Sequence, residues 1–126
     1  MRRMPRFAAF LSRLALWLFW PALVLIVWGQ LTPHPPDILP GVSDKVLHFT
    51  AYFGLAALAA FALGTERAVL IAVLSLIVLG GALEILQSLT GRDAEWLDEA
   101  ANSLGAVLGA LAALGLLRLV GRERSD

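Results

Sequence analysis

The side chains of this sequence that could perform chemistry fall into three groups, each beside a long apolar run. Within a group the spacing is three or four residues, which in a helix brings the side chains onto one face. The residue types are those of general acids and bases, phosphate-binding groups and metal ligands. The groups are Asp44, His48 and Tyr52; Glu84, Gln87 and Ser88; and Asp98 with Asn102, while the bases Lys45 and Arg92 flank them.

Glu84 is the most informative of these residues because it lies inside an apolar run rather than at its edge. At the centre of a membrane helix a carboxylate costs roughly 2.5–3.5 kcal/mol on insertion scales, so it normally faces the protein interior and has a partner. The available bases are His48, Lys45 and Arg92. We therefore expect Glu84 and His48 to meet.

Three kinds of chemistry are compatible with these residues. His48 could act as a general base oriented by Asp44 or Glu84, with an activated water, Ser88 or Tyr52 as nucleophile. Lys45 and Arg92 could instead meet a phosphate. A divalent metal held by Asp44, His48, Glu84 and Asp98 is conceivable, but a single site histidine and the absence of cysteine argue against it, so no metal and no cofactor is predicted.

Each residue also has a structural alternative. Asp44 and Asp98 could be helix N-caps, and His48 and Asn102 could form interhelical hydrogen bonds. Because all the groups lie at one depth, we favour a site. The deciding observation is whether Glu84, His48 and Asp98 converge on a cavity that solvent can reach or lock into a closed ion-pair cluster.

Composition indicates a membrane protein. Of the 126 residues, 59% are hydrophobic and the mean hydropathy is +0.77, whereas soluble domains are roughly 45–50% apolar. The apolar residues form four runs, at about residues 14–31, 46–64, 68–89 and 97–120. Each has the ~20 residues that a helix needs to cross a bilayer. The sequence predicts an all-α, single-domain, compact bundle of four transmembrane helices.

The distribution of Lys and Arg predicts the orientation of these spans. With the N-terminus inside, eight bases are cytoplasmic and only Lys45 and Arg92 are external, so the chain should be N-in and C-in. All three polar groups then lie on the outer side. The eight internal bases are Arg2, Arg3, Arg6, Arg13, Arg67, Arg118, Arg122 and Arg124. Because the bases are mostly terminal, no nucleic-acid partner is expected.

Small residues recur every fourth position in the last span, including Gly105 and Gly109. Such a stripe lets a second helix approach closely. The favoured interpretation is packing within the bundle, and the alternative is a homodimer through Gly105 and Gly109.

The segments "DKVLHFTAYFGLAAL" and "EILQSLTGRDAEWLDEAANSLGAVLG" resemble the VanZ-like family of small bacterial membrane proteins. The resemblance covers about residues 43–110. It implies a multi-pass protein of the bacterial cytoplasmic membrane that acts near lipid-linked or cell-envelope components, since the family's namesake is associated with teicoplanin resistance. The matching positions are Asp44, Lys45, His48, Phe49, Glu84, Gln87, Arg92, Asp98, Asn102 and Gly105.

Two functions are therefore predicted. The first is binding or modulation of a membrane lipid or a lipid-linked envelope component, which would link the protein to antibiotic resistance or envelope homeostasis. The alternative is an intramembrane enzyme with His48, Glu84 and Asp98 as catalytic residues. Proton transport and a purely structural assembly role are further alternatives. The predicted binding residues are Asp44, Lys45, Tyr52, Gln87, Arg92 and Asn102.

Overall fold

A computed structural model describes residues 6–37 and 39–122, which form four long α-helices. Each helix is long and apolar enough to cross a membrane. This confirms the prediction of an all-α fold with four apolar helices. The helices are α1 (Arg6–Leu31), α2 (Asp44–Leu63), α3 (Glu66–Leu89) and α4 (Trp96–Arg122).

The four helices correspond to the four apolar runs, with α1 beginning well before the predicted start at residue 14. The early start adds Arg6 and Arg13 to the helix. Three bases used for the orientation prediction, Arg2, Arg3 and Arg124, lie outside the described residues.

Local signals set the helix ends. Ser43, in an extended conformation, is the N-cap residue of α2, so Asp44 is the first helical residue rather than the cap. Asp98 likewise lies in the first turn of α4, which begins at Trp96. Acidic residues in a first turn are stabilised by the positive end of the helix dipole. The N-cap alternative is therefore wrong for Asp44 and Asp98, although both lie where that dipole favours a carboxylate.

The closest approach in the bundle is between α2 and α4. A Cβ atom added to Gly105 would collide with the backbone carbonyl of Phe49, and one added to Gly109 with the carbonyl of Phe53. Both glycines are buried. The small-residue stripe is thus used inside the chain. A homodimer through Gly105 and Gly109 stays a prediction, and their burial counts against it.

The apolar core lies along this α2–α4 contact and includes one face of α3. By contrast, α1 packs at the periphery, and Ala15 and Gln30 are its only buried residues in the described chain. The core side chains are Tyr52, Leu55, Ala56, Ala60, Val69, Val73, Leu76, Ala106, Ala110 and Ala113.

The antiparallel arrangement brings four helix ends together at one side of the bundle, which we call the polar end. There α1 ends, α2 begins, α3 ends and α4 begins. At the end of α3, Gly91 adopts a left-handed conformation (φ 82°), which glycine tolerates and other residues rarely do. The amide N–H of Arg92 then donates to the carbonyl of Gln87 at 3.3 Å, which turns the chain back over the bundle.

Candidate functional site

His48 is the centre of the polar end. It lies one turn into α2 and is buried. Its Nδ1 atom is 2.9 Å from Oδ1 of Asn102 and 3.2 Å from Nε2 of Gln30. On the other side of the ring, Nε2 lies 3.8 Å from an oxygen of Asp44 and 3.9 Å from an oxygen of Asp98. The imidazole therefore connects α1, α2 and α4.

The two bases at the polar end have different partners. The ammonium of Lys45 is 2.6 Å from Glu95 and 3.2 Å from Oδ1 of Asp98. The contact with Asp98 is an ion pair but not a hydrogen bond. This buried oxygen is therefore left without a hydrogen-bond partner. The hydrogen bond and the charge of Lys45 lower the pKa of Glu95, which is fully exposed.

Arg92 is held by the end of α1. One nitrogen of its guanidinium donates to the backbone carbonyl of Gln30 at 3.1 Å. Another lies 3.8 Å from the Asp44 carboxylate, an ion-pair distance beyond hydrogen bonding. The guanidinium is partly exposed, so it keeps donors that can meet a ligand.

Gln30 joins α1 to the site. It was not predicted as a site residue, because the first span was interpreted only as a hydrophobic anchor. Its backbone carbonyl also accepts a hydrogen bond from Gln87 at 2.8 Å, and its side chain contacts His48 and the hydroxyl of Tyr52 at 3.3 Å. It is the one amide in the first apolar run, which is the signal that could have found it.

Glu84 does not meet His48 as expected. Its carboxylate accepts a 3.3 Å hydrogen bond from the backbone N–H of Glu95. Across residues 6–37 and 39–122 it forms no ion pair with His48, Lys45 or Arg92. The expectation of a direct pair was wrong, because the backbone that turns into α4 supplies the donor instead. The other oxygen of Glu84 is buried without a hydrogen-bond partner.

Glu99, in the first turn of α4, was not predicted as a site residue. Its carboxylate accepts hydrogen bonds from Asn102 at 3.3 Å and Ser103 at 3.1 Å. A Cβ atom added to Gly80 on α3 would lie 2.5 Å from this carboxylate. Because Gly80 has no side chain, there is room for the Glu99 carboxylate to hold Asn102. Asn102 in turn contacts His48.

The hydroxyl groups considered as nucleophiles are both engaged. Ser88 is exposed and donates to the carbonyl of Ile85 in its own helix at 2.6 Å. Tyr52 is completely buried and hydrogen-bonded to Gln30. Neither hydroxyl is therefore available to an imidazole base.

A cavity of about 550 Å³ opens between α1, the following connection and the start of α2. Its lining is largely apolar and includes the polar residues Gln30, Asp37, Asp44, His48 and Arg92. His48 is thus exposed to a cavity, whereas Glu84 and Asp98 are not among its lining residues. The lining is Leu25, Ile26, Trp28, Gly29, Gln30, Pro35, Pro36, Asp37, Val42, Asp44, Leu47, His48, Ala51 and Arg92.

The structure thus brings together most of the predicted residues. Asp44, His48, Asp98 and Asn102 form one cluster, with Lys45 beside it. Tyr52, Gln87 and Arg92 join it through Gln30, and Glu84 is tied to the adjoining turn instead.

Comparisons with models of protein families, with curated proteins and with solved structures find no match to this chain. The VanZ-like resemblance therefore stays a prediction.

Proposed function

We propose that this chain is a multi-pass protein of a bacterial cytoplasmic membrane, with both termini inside and the polar end at the outer surface. The four long apolar helices and the excess of Lys and Arg at the opposite side support this orientation. Large apolar side chains on the outside of the bundle, among them Trp17 and Trp96, suit contact with lipid.

The orientation can be tested directly because the chain contains no cysteine. In the N-in orientation, a membrane-impermeant maleimide added to intact cells labels the variant Asp93→Cys and not Thr65→Cys. These two exposed residues lie in the turns at opposite ends of the bundle. The reverse labelling pattern would overturn the orientation.

Within this orientation, we propose that the protein binds a membrane amphiphile that carries a phosphate head group. The cavity carries the proposal, because a largely apolar cavity whose lining also includes His48, Asp44 and Arg92 suits a molecule with an apolar tail and a polar head. Arg92 is the cation in that lining, and a guanidinium matches phosphate geometry. Lys45, committed to Glu95 and outside the lining, plays no part in it.

The resemblance to VanZ-like proteins supports the same class of ligand. It adds the expectation that the amphiphile is a lipid-linked component of the cell envelope and that the protein contributes to teicoplanin-type resistance or envelope homeostasis. A polyprenyl phosphate serves as the test ligand for a lipid-linked envelope component, and phosphatidylglycerol serves as the test ligand for a bulk membrane lipid.

The test is native mass spectrometry of the purified chain with each of these two lipids. The variant Gly29→Phe fills the cavity, because Gly29 lines it and an added Cβ meets nothing within 4 Å. We expect it to lose binding, while Gly115→Phe, an equally open position on α4, keeps it. Arg92→Gln should weaken binding of the lipid phosphate at least about tenfold, because it removes a charge-assisted contact.

The two lipids separate the possible sources of the phosphate. Preference for polyprenyl phosphate supports a lipid-linked envelope component, and equal binding supports a general anionic lipid. Wild-type binding by Gly29→Phe would refute the cavity as the binding site.

The enzyme alternative is favoured by one observation, the orientation of His48 by Asn102. With Ser88 and Tyr52 engaged, the imidazole would have to activate a water molecule for hydrolysis of a lipid-linked substrate. Loss of turnover with full lipid binding in His48→Gln would favour this function, and the absence of turnover in the wild type would remove it.

A further inference from the structure

Three potential ligand atoms converge at the polar end from two helices. Asp44 and His48 lie one turn apart on α2, and Asp98 lies in the first turn of α4. One ligand atom from each lies within 4.8 Å of the other two. The two carboxylate oxygens approach the same nitrogen, Nε2 of His48, at 3.8 and 3.9 Å.

The hydrogen bonds of Asn102 determine which nitrogen of His48 carries a proton. The amide nitrogen of Asn102 donates to the Glu99 carboxylate, which only accepts, so the oxygen of Asn102 must face His48. Since that oxygen is 2.9 Å from Nδ1, the Nδ1 atom carries the hydrogen. The lone pair of neutral His48 is then on Nε2, facing the two carboxylates.

The contact from Gln30 does not oppose this assignment. Its amide nitrogen is 3.2 Å from the same Nδ1, and its oxygen faces the hydroxyl of Tyr52. A hydroxyl both donates and accepts, so the Gln30 amide can turn over and offer its oxygen to Nδ1 while keeping its bond to Tyr52. Asn102 has no such freedom because a carboxylate fixes it.

A lone pair that faces two carboxylates is unfavourable unless a positive charge lies between them, either a bound cation or a second proton on His48. Asp98 provides the second sign of a bound cation, because it is only 5% exposed, its Oδ1 has an ion pair with Lys45 at 3.2 Å but no hydrogen bond, and its Oδ2 faces Nε2 of His48. A buried carboxylate in that state is costly. The acidic residues around His48 also outnumber the two cationic residues there, Lys45 and Arg92. The acids there are Asp44, Glu84, Glu95, Asp98 and Glu99.

The donor set narrows the choice of cation. An imidazole nitrogen with two carboxylate oxygens suits Mn²⁺ or Zn²⁺ better than Ca²⁺ or Mg²⁺, which take oxygen ligands almost exclusively. Ligand atoms around such an ion are about 3.4 Å apart in tetrahedral geometry. The half-exposed side chain of Asp44 can close the remaining gap, since its nearest cation, Arg92, is 3.8 Å away.

We propose that Asp44, His48 and Asp98 bind a divalent transition-metal ion, Mn²⁺ or Zn²⁺, through Nε2 of the imidazole and an oxygen of each carboxylate. The hydrogen bond from Nδ1 to Asn102, which Glu99 holds, is the outer contact that orients a metal-binding histidine. This inference goes beyond the proposed amphiphile binding and revises the sequence prediction of no metal. Asp44 and His48 also line the cavity, so the ion would lie beside a bound phosphate.

The experiment measures Mn²⁺ binding to the full chain in detergent, after chelator treatment and without added lipid, by electron paramagnetic resonance. The wild type should bind one Mn²⁺ per chain, with nitrogen coupling from one imidazole and displacement by Zn²⁺. Asp44→Asn should weaken the affinity at least tenfold. Because Asp44 is exposed, this change leaves the buried contacts in place.

The matched control is Asp93→Asn, which removes the same charge from an exposed position in the α3–α4 turn and should leave Mn²⁺ affinity unchanged. Asn102→Ala should weaken the affinity about 10–100-fold if Asn102 positions His48. Loss of the nitrogen coupling in His48→Gln would assign the nitrogen ligand.

Two results would overturn the metal site. One is the absence of saturable Mn²⁺ or Zn²⁺ binding in the wild type, which would mean that His48 is doubly protonated between two carboxylates. The other is unchanged affinity in Asp44→Asn. Either result leaves the amphiphile proposal standing, because different variants test the two proposals. Gly29→Phe blocks the cavity but should still bind Mn²⁺.

Discussion

The two ends of this bundle are built from the same four helices but are held together in different ways. Toward the opposite end, away from the polar end, a second cavity of about 320 Å³ lies between α1, α2 and α3 and is lined by apolar and aromatic side chains and by Ser75. That hydroxyl bonds to the carbonyl of Ile71 in its own helix. At the polar end, buried side chains bond from helix to helix through Gln30, His48 and Asn102.

The difference indicates that different interactions stabilise the two ends of the bundle. At the opposite end the bonds between helices come from Ser12, which donates to the carbonyl of Ala62, and from the exposed pair Arg118 and Glu66. That end and the α2–α4 contact therefore depend mainly on the volume of side chains. Buried polar groups need specific partners, so the polar end depends on which atoms donate and accept.

The change Gly109→Ala should cause the largest loss of stability. The added methyl group would collide with the backbone carbonyl of Phe53, and neither helix backbone can give way locally. We expect about 3 kcal/mol of destabilisation in reversible unfolding in mixed micelles, the upper part of the range for overpacking. Gly115→Ala is the control on the same helix, since its Cβ meets nothing within 4 Å. Equal stability of the two variants would contradict shape-dependent packing.

The change Gln30→Met tests the polar end by keeping volume and removing the hydrogen bonds. His48 and Tyr52 would each lose a partner while buried, which should cost about 1–2 kcal/mol in the same unfolding measurement. The matched change at the opposite end, Ser75→Ala, removes only an exposed bond and should stay within about 0.5 kcal/mol. Equal effects would mean that the two ends are not held differently.

The change Gly80→Ala should affect binding more than stability. Its methyl group would displace the Glu99 carboxylate, a flexible side chain, and so release Asn102 from the orientation that holds His48. We expect Mn²⁺ affinity to fall about tenfold with little change in unfolding. Gly81→Ala is the adjacent control, because its nearest contact is at 4.0 Å. Unchanged Mn²⁺ affinity in Gly80→Ala would separate Glu99 from the site.

The smallest effect concerns Lys45 and Glu95. Because Lys45 lowers the pKa of Glu95, the folded state favours the carboxylate. The pair therefore adds stability above the usual glutamate pKa and loses it as the pH falls through the lowered value. The unfolding midpoints of wild type and Glu95→Gln should differ slightly at neutral pH, converge in acid and approach each other in high salt. A constant difference across pH would contradict the ion pair, and Asp93→Asn is the control.

The contrast between the ends also explains what the sequence could predict. Runs of apolar residues specify four helices, because length and hydropathy determine which segments can cross a bilayer. The spacing of Asp44 and His48 also predicted their shared face correctly. These inferences depend on one helix at a time.

Contacts between helices were harder to predict, because they depend on rotation and on backbone atoms. The pairing of Glu84 with a backbone amide cannot be read from side-chain types, since every residue except proline offers such a donor. The side-chain amide of Gln30 could have been noticed in the sequence, but the bonds to its backbone could not. Its partners, Gln87 and Arg92, bond to its carbonyl rather than to its side chain, so nothing in the residue type announces them.

That carbonyl has a consequence for how the protein is made. The two donors that hold the end of α1 follow it by 57 and 62 residues in the chain. The first helix therefore leaves the ribosome long before the groups that fix its position have been synthesised. The docking of its end must wait until α3 and the turn after it have been completed, so the end of α1 is fixed only after two later helices have been made.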